Sequence, residues 1–254
     1  MTKLLIFLLF LSPALFAVTD SEIPLQHVSV NIKDQARLQR GAKMYMNYCS
    51  GCHSLKYMRY NRMAKDMGLT TFAGEVDKDL LYNNLIFTSA KIHDPIQIAM
   101  PAEDAREWFG VEPPDLSLVA RKRGANWIFT YLKSFYIDES RPFGSNNLLV
   151  PGVAMPNILA PLEGRVIAVR KKDTDEHLQI SHLLLIKPGR MTQHEFDNAI
   201  TDLVNFLVYV GEPAQLIRYR IGVWVLLFLF VFFFAAYKLK KAYWRKLNLN
   251  AGGK

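Results

Sequence analysis

Apolar positions along this chain fall into two kinds of pattern, continuous runs at the two ends and periodic stripes between them. At the front, Leu4 to Phe16 is an unbroken apolar run behind Lys3, closed by the small residue Ala17. Near the back, Ile221 to Tyr237 reads IGVWVLLFLFVFFFAAY, 17 residues without a charge. Between the runs, Leu38, Ala42, Tyr45 and Cys49 recur at helical spacing on one face of a helix that opens at about Asp34. Pro114 is placed to open a short helix through Leu118, and Trp127, Ile128, Tyr131, Leu132 and Phe135 form a further apolar stripe. The clearest helix starts at Thr192 and Glu195, which make a capping box. It buries Phe196, Ile200, Leu203, Val204 and Leu207, and Gly211 with Pro213 ends it. Val166 to Val169 and Leu178 to Leu184, flanking KKDTDE, predict a β-hairpin. With 254 residues the chain can bury one substantial core, so the economical layout is a single, mainly α domain between two terminal apolar segments.

The terminal segments are membrane signals. Residues 1–17 have the layout of a secretory signal peptide, and their apolar run is too short to span a bilayer comfortably. Leu15 stands where a small residue is usual before a cleavage site, so an uncleaved N-terminal anchor is the alternative. The later run covers roughly 26 Å as a helix and must borrow a turn from its flanks, giving a transmembrane helix over about 216–240 and a basic tail over 241–254. Tyr219, Trp224, Tyr237, Tyr243 and Trp244 fall near its ends, as an aromatic belt requires. Two basic residues closely precede the run and six follow it, so the positive-inside bias puts the tail in the cytoplasm and residues 18–215 outside. In a Gram-negative bacterium that compartment is the oxidising periplasm.

The formal charge of +8 is a property of the ends. Nine of the 31 basic residues lie in the first 17 or the last 37 positions and none of the 23 acidic ones do, so the middle carries 22 against 23. A near-neutral domain lacks the concentrated basic face that phosphate backbones need, which sets nucleic acid aside.

The chemistry lies in the two cysteines. They stand as Cys49-Ser50-Gly51-Cys52-His53. In C-x-x-C-H the two thiols add to haem vinyl groups and the adjacent histidine ligates the iron, so the motif points to one covalently attached haem c. A thioredoxin-like dithiol would need a strand leading into the motif, whereas the preceding residues have helical spacing. A zinc site would need a second cysteine pair or a close histidine pair, and His27, His93, His177, His182 and His194 are scattered.

An iron that only transfers electrons needs a sixth ligand, usually methionine, whose soft sulfur favours the ferrous state. Of nine methionines, Met44, Met46, Met58, Met63 and Met67 lie too near the attachment site or on helical faces. The two candidates are Met100 and Met155, which share one local form, an Ala-Met-Pro loop. Local chemistry leaves both open, with more apolar flanks at Met155.

The run C-S-G-C-H-S at 49–54, E-P-P-D-L-S-L-V-A-R at 112–121, P-G-V-A-M-P at 151–156 and the single basic-tailed C-terminal helix together resemble the cytochrome c1 family over nearly the whole mature chain, with V-G-E-P-A-Q-L at 210–216 similar to its bacterial branch. The resemblance implies a class I cytochrome c-like haem domain with a small β-hairpin insertion and one C-terminal transmembrane helix. It implies Cys49 and Cys52 as haem linkers, His53 as proximal ligand and Met155 rather than Met100 as distal ligand. It also implies that Arg123, or its neighbour Arg121, pairs with a haem propionate, and that Leu38 and Leu203 face one another where the first and last helices cross. Two departures stand out: Trp127 occupies a position commonly Tyr, and the chain has no further cysteines for the disulfide of some relatives.

The function so implied is electron transfer in ubiquinol–cytochrome c reductase, with no catalysis by this chain alone. The partners implied are cytochrome b in the membrane, the Rieske iron-sulfur protein as donor and a cytochrome c as acceptor. An anchored c-type cytochrome of another respiratory complex is the nearest alternative. A periplasmic thiol oxidoreductase using Cys49 and Cys52, or a haem peroxidase with an open distal side, is a more distant one.

Overall fold

The computed structural model describes residues 23–172 and 178–251. The expected signal peptide and the tip of the hairpin lie outside the described residues. Helix α1 (Gln35–Tyr48) starts where the Asp34 carboxylate accepts the Arg37 amide, the bond an N-cap supplies to an otherwise unpaired donor. Helix α8 (Gln193–Gly211) starts from the expected box, with Thr192 and Glu195 exchanging side-chain and backbone bonds. Their apolar faces meet. Leu38, Ala42 and Tyr45 from α1 and Phe196, Ile200, Leu203, Val204 and Leu207 from α8 are all buried in one core.

The closest approach of these helices is set by a missing side chain. A Cβ on Gly41 would lie 2.1 Å from the Asp202 carbonyl oxygen and 2.6 Å from Phe206 Cβ, so only glycine lets the backbones come this near. Polar bonds fix the rotation of the pair. Arg40 grips Asp202 with Nε at 2.6 Å and Nη2 at 3.3 Å, and buried Asn205 holds both the amide and the carbonyl of Asn31.

Around this crossing, short elements are strung on loops: β1 (Leu55–Arg59), α2 (Tyr60–Asp66), α3 (Lys78–Asn84), β2 (Pro95–Ile96), α4 (Ala102–Phe109), α5 (Val119–Arg123), α6 (Ala125–Leu132), β3 (Phe135–Ile137), β4 (Ser145–Asn147) and α7 (Ala160–Glu163). The expected hairpin is present and longer than its apolar residues suggested, pairing β5 (Gly164–Lys172) antiparallel with β6 (Leu178–Pro188). Two further antiparallel pairs, β1–β2 and β3–β4, had no signal in the apolar pattern. Phe135 belongs to β3 and continues the α6 stripe only in space.

The helix expected from Pro114 does not form. Residues 112–116 have no regular secondary structure and helical geometry starts only at Val119. Asp115 and Ser117 are engaged elsewhere: Asp115 accepts the amides of Ser117 and Lys56, and Ser117 Oγ accepts that of Tyr57. These side chains lace the segment along residues 54–57 as a strap, and a helix there would have to break those bonds.

Helix α9 (Gln215–Ala251) is continuous through the basic segment expected as a tail. Its stretch Ile221–Arg245 is long and apolar enough to cross a membrane and none of it is covered by the rest of the chain. Trp224, Leu226, Phe228 and Phe230 are each at least 61% exposed. Side chains of that kind on every face of a helix are stable only in lipid.

Candidate haem site

The site is assembled from two groups of residues that share α8 as a neighbour. The first is the turn at the end of α1. Cys49 O accepts the amides of Cys52 and His53, at 3.0 and 2.8 Å, which winds the five-residue motif into a compact loop. Tyr45, one turn back and fully buried, donates its hydroxyl to the His53 carbonyl and packs at a tilt against Phe206 of α8. The strap completes the loop's support. Leu116 N bonds Ser54 O at 2.9 Å, and His53 Nδ1 lies 2.7 Å from the Pro114 carbonyl oxygen.

That last contact fixes the histidine's tautomer. A carbonyl oxygen can only accept, so Nδ1 carries the proton and Nε2 keeps its lone pair. Burial lowers the His53 pKa, with the Pro114 bond working against it, and keeps the ring in the neutral form that ligates metals. The outward imidazole nitrogen is thus oriented as a metal-bound histidine requires.

Cys49 and Cys52 are not joined to one another in a disulfide. Burial pushes the Cys49 thiol up to about 12, with the neighbouring Cys52 adding to the rise, and burial raises Cys52 as well. A disulfide-exchange enzyme needs a thiolate stabilised at neutral pH, usually by a helix N-terminus or a nearby cation. Cys49 instead follows the C-terminal end of α1 and sits in an apolar core, which disfavours the thiol-oxidoreductase alternative.

The second group runs along α5 and α6 to the late methionine loop. The Arg123 guanidinium lies 4.8 Å from the Trp127 ring centroid. Trp127 stacks on Tyr131 with centroids 5.0 Å apart and 8° between planes. Tyr131 Oη donates to Met155 Sδ at 3.4 Å. The loop bearing Met155 is held by the β3–β4 pair: Asn146 Oδ1 accepts Gly152 N, Asn147 Oδ1 accepts the amides of Leu149 and Val150, and Ser145 Oγ accepts Asn157 N. This explains why β4 reads Ser-Asn-Asn in place of an apolar alternation. Gly152 is needed at its turn, with φ at +77°.

The other candidates lie elsewhere. Arg121, one residue before the middle of the Arg121–Arg123 stretch, forms an ion pair with Glu212 at 3.1 Å beside the end of α8. Met100 lines a pocket of about 370 Å³ with Ser54, Ile98, Pro113, Pro114 and Asp115. Of these, Pro113, Pro114 and Asp115 belong to the strap, whose Pro114 carbonyl meets His53 Nδ1. Two contributors had not been singled out in the sequence for the site: the Pro114 carbonyl and the Tyr131 hydroxyl. The first was hidden because a backbone oxygen has no residue signature, and the second because Tyr131 counted only as one more apolar position in the α6 stripe.

A covalent haem motif closing a helix that packs on the chain's last soluble helix, followed by a lipid-facing helix, defines a membrane-anchored c-type cytochrome. The sequence model of one family, described as the Cytochrome C1 family, matches residues 27–247. The chain is 48% identical to cytochrome c1 of Allochromatium vinosum, over 98% of this chain and 100% of that one. It is also 40% identical to a protein of Nitrosomonas europaea named ammonia monooxygenase gamma subunit, over 98% and 99% of the two chains, and 27% identical to cytochrome c1 of Rhodospirillum rubrum, over 85% and 83%. The chain belongs to the cytochrome c1 family. It is a single-pass membrane protein by its described residues, it carries one covalently bound haem c, and its function is electron transfer.

Proposed function

We propose that this chain is the haem-bearing subunit of a ubiquinol–cytochrome c reductase, with Cys49 and Cys52 as thioether linkers, His53 Nε2 and Met155 Sδ as axial ligands, and Arg123 as a propionate partner. The observation that carries the ligand pair is the bond from His53 Nδ1 to the Pro114 carbonyl. It aims Nε2 away from the strap, so the distal ligand must come from the far side of the ring. Met100 lines a pocket with Pro113, Pro114 and Asp115 of the strap that His53 Nδ1 faces, which favours Met155 over it. Met155 belongs to a different wall, built by Tyr131, Trp127 and Arg123. Of the two arginines, Arg121 is engaged by Glu212, whereas Arg123 lies on that wall and has a planar fork suited to a carboxylate.

Bound haem supplies a one-electron iron couple. The protein's share is to hold His53 neutral and oriented, to present a sulfur that favours the reduced state, and to keep water away with the apolar core that both groups pack against. The electron comes from the Rieske iron-sulfur protein and goes to a cytochrome c, with α9 lying beside cytochrome b. The charge bias around α9 supports a topology with residues 18–215 in the periplasm and the C-terminal end in the cytoplasm.

The test is a haem stain of the denatured chain with a pyridine haemochrome spectrum, made on membranes of a host able to attach haem, beside the variants Met155→Leu and Met100→Leu. Haem stays with the denatured chain in all three. Met155→Leu becomes high-spin and falls strongly in potential, while Met100→Leu keeps the unaltered spectrum. The reverse pattern would make Met100 the ligand. Co-purification of cytochrome b and a Rieske protein identifies the complex, and their absence from a solubilised preparation assigns the chain to another respiratory assembly.

A further inference from the structure

Tyr131 is the only residue in the second group whose hydroxyl reaches the sulfur of Met155 among the described contacts, and its placement is unusually constrained. The ring stacks on Trp127 and also meets Phe135 in an edge contact, with centroids 5.3 Å apart and 71° between planes. Its backbone carbonyl accepts Asn147 Nδ2 at 2.8 Å, and Asn147 is the residue that caps the start of the Met155 loop through its Oδ1. The ring and the loop it addresses are therefore tied to the same buried asparagine. The hydroxyl donates to Met155 Sδ at 3.4 Å, a normal separation for a sulfur acceptor.

We infer that Tyr131 is a positioning residue that sets the reduction potential of this cytochrome by donating a hydrogen bond to the sulfur of its distal ligand. This rests on Met155 being that ligand. The physical effect has a definite sign. An O–H dipole with its positive end on the sulfur opposes the extra positive charge of ferric iron, so it favours the reduced form and raises the potential. It also takes up one sulfur lone pair, so that the other faces a single direction. Trp127 then has a task beyond packing, since its stacked face stops the phenol from turning away.

The decisive variant is Tyr131→Phe, which keeps the ring, the stack on Trp127 and the edge contact with Phe135 and removes only the donor. In the membrane-bound full chain its haem remains low-spin and retains the sulfur-to-iron charge-transfer band, while its potential drops by an amount equivalent to roughly a tenfold change in the ferric-to-ferrous ratio, about 59 mV for a one-electron couple. A potential equal to that of the unaltered protein overturns the inference. Met155→Leu separates this failure from failure of the ligand assignment: if that variant keeps the charge-transfer band, Met155 is not the ligand and both readings fall. Should Tyr131→Phe not accumulate, the unaltered protein still decides. Transfer to deuterated water shifts the iron–sulfur stretching vibration if a hydroxyl bonds the sulfur, and an unshifted vibration rejects the hydroxyl's role.

Discussion

Glu163 shows at the residue scale how an ionisable group behaves when packing overrides its solvation. It is 7% exposed at the end of α7, and its Oε2 has no hydrogen-bond partner among the described residues. Lys133 is near enough to be felt, but it is bound to Asp197 at 2.7 Å, and Asp197 itself repels the Glu163 charge. Burial therefore dominates and pushes the Glu163 carboxyl up to about 7 from an ordinary 4.5. The unfolded chain loses this proton first as pH rises, so folding is progressively penalised between about pH 4.5 and 7 and by a constant amount above that. Glu163→Gln should be level with the unaltered protein near pH 4.5 and more stable by about 2–3 kcal/mol at pH 8. Denaturant midpoints at the two pH values check this, and a gap that does not change with pH would remove the buried charge from the account. The cysteines, the histidine and the methionine were all visible as residues in the sequence. What hid from it were their partners, because Pro114 reaches His53 across 61 positions and Tyr131 reaches Met155 across 24, and no local periodicity encodes such a contact.

At the scale of elements, the period of apolar residues was a good guide wherever a helix is long enough to express one. The first and the last soluble helices follow it, and so does the hairpin, while the membrane helix was read from its unbroken apolar run. It failed for the Pro114 strap and the β3–β4 pair, which are held by Asp115, Ser117, Asn146 and Asn147 side chains bonding to backbone outside their own segments. Proline in a favourable helix-opening position carried no weight against three such bonds. The crossing of α1 and α8 depends on an element-level property that a sequence shows only as an unremarkable glycine. Gly41→Ala must push its methyl into the Asp202 carbonyl or force the helices apart. The expected loss is about 1–3 kcal/mol, as for other overpacked cores, read as a lower thermal midpoint of the haem absorbance. An unchanged midpoint would mean that the two helices separate freely.

For the whole molecule, the separable parts are the haem domain and the anchor. Deleting everything after Ile217, with the N-terminal segment kept, should release a haem-bearing soluble protein, because the described core of the domain draws on no residue beyond Leu216. Partitioning between membrane and supernatant, followed by haem stain, is the check. A fragment that still sediments with the membrane would show that the N-terminal segment anchors it too. The layout of one domain between two apolar ends was legible from the sequence. The continuity of α9 to Ala251 was not, since a basic, aromatic stretch such as KLKKAYWRK has the composition of a tail and the propensity of a helix at once.

The join between domain and anchor is only Glu212, Pro213 and Ala214 long. Within it Glu212 holds Arg121 of the domain with one carboxylate oxygen and Arg218 of the anchor with the other. A join of three residues keeps the domain close to the end of α9, and the two ion pairs of Glu212, each to an arginine more than half exposed, add a link that salt weakens. With so short a reach from its anchor the domain has little range of its own, and a mobile donor or acceptor would supply the movement that electron transfer needs.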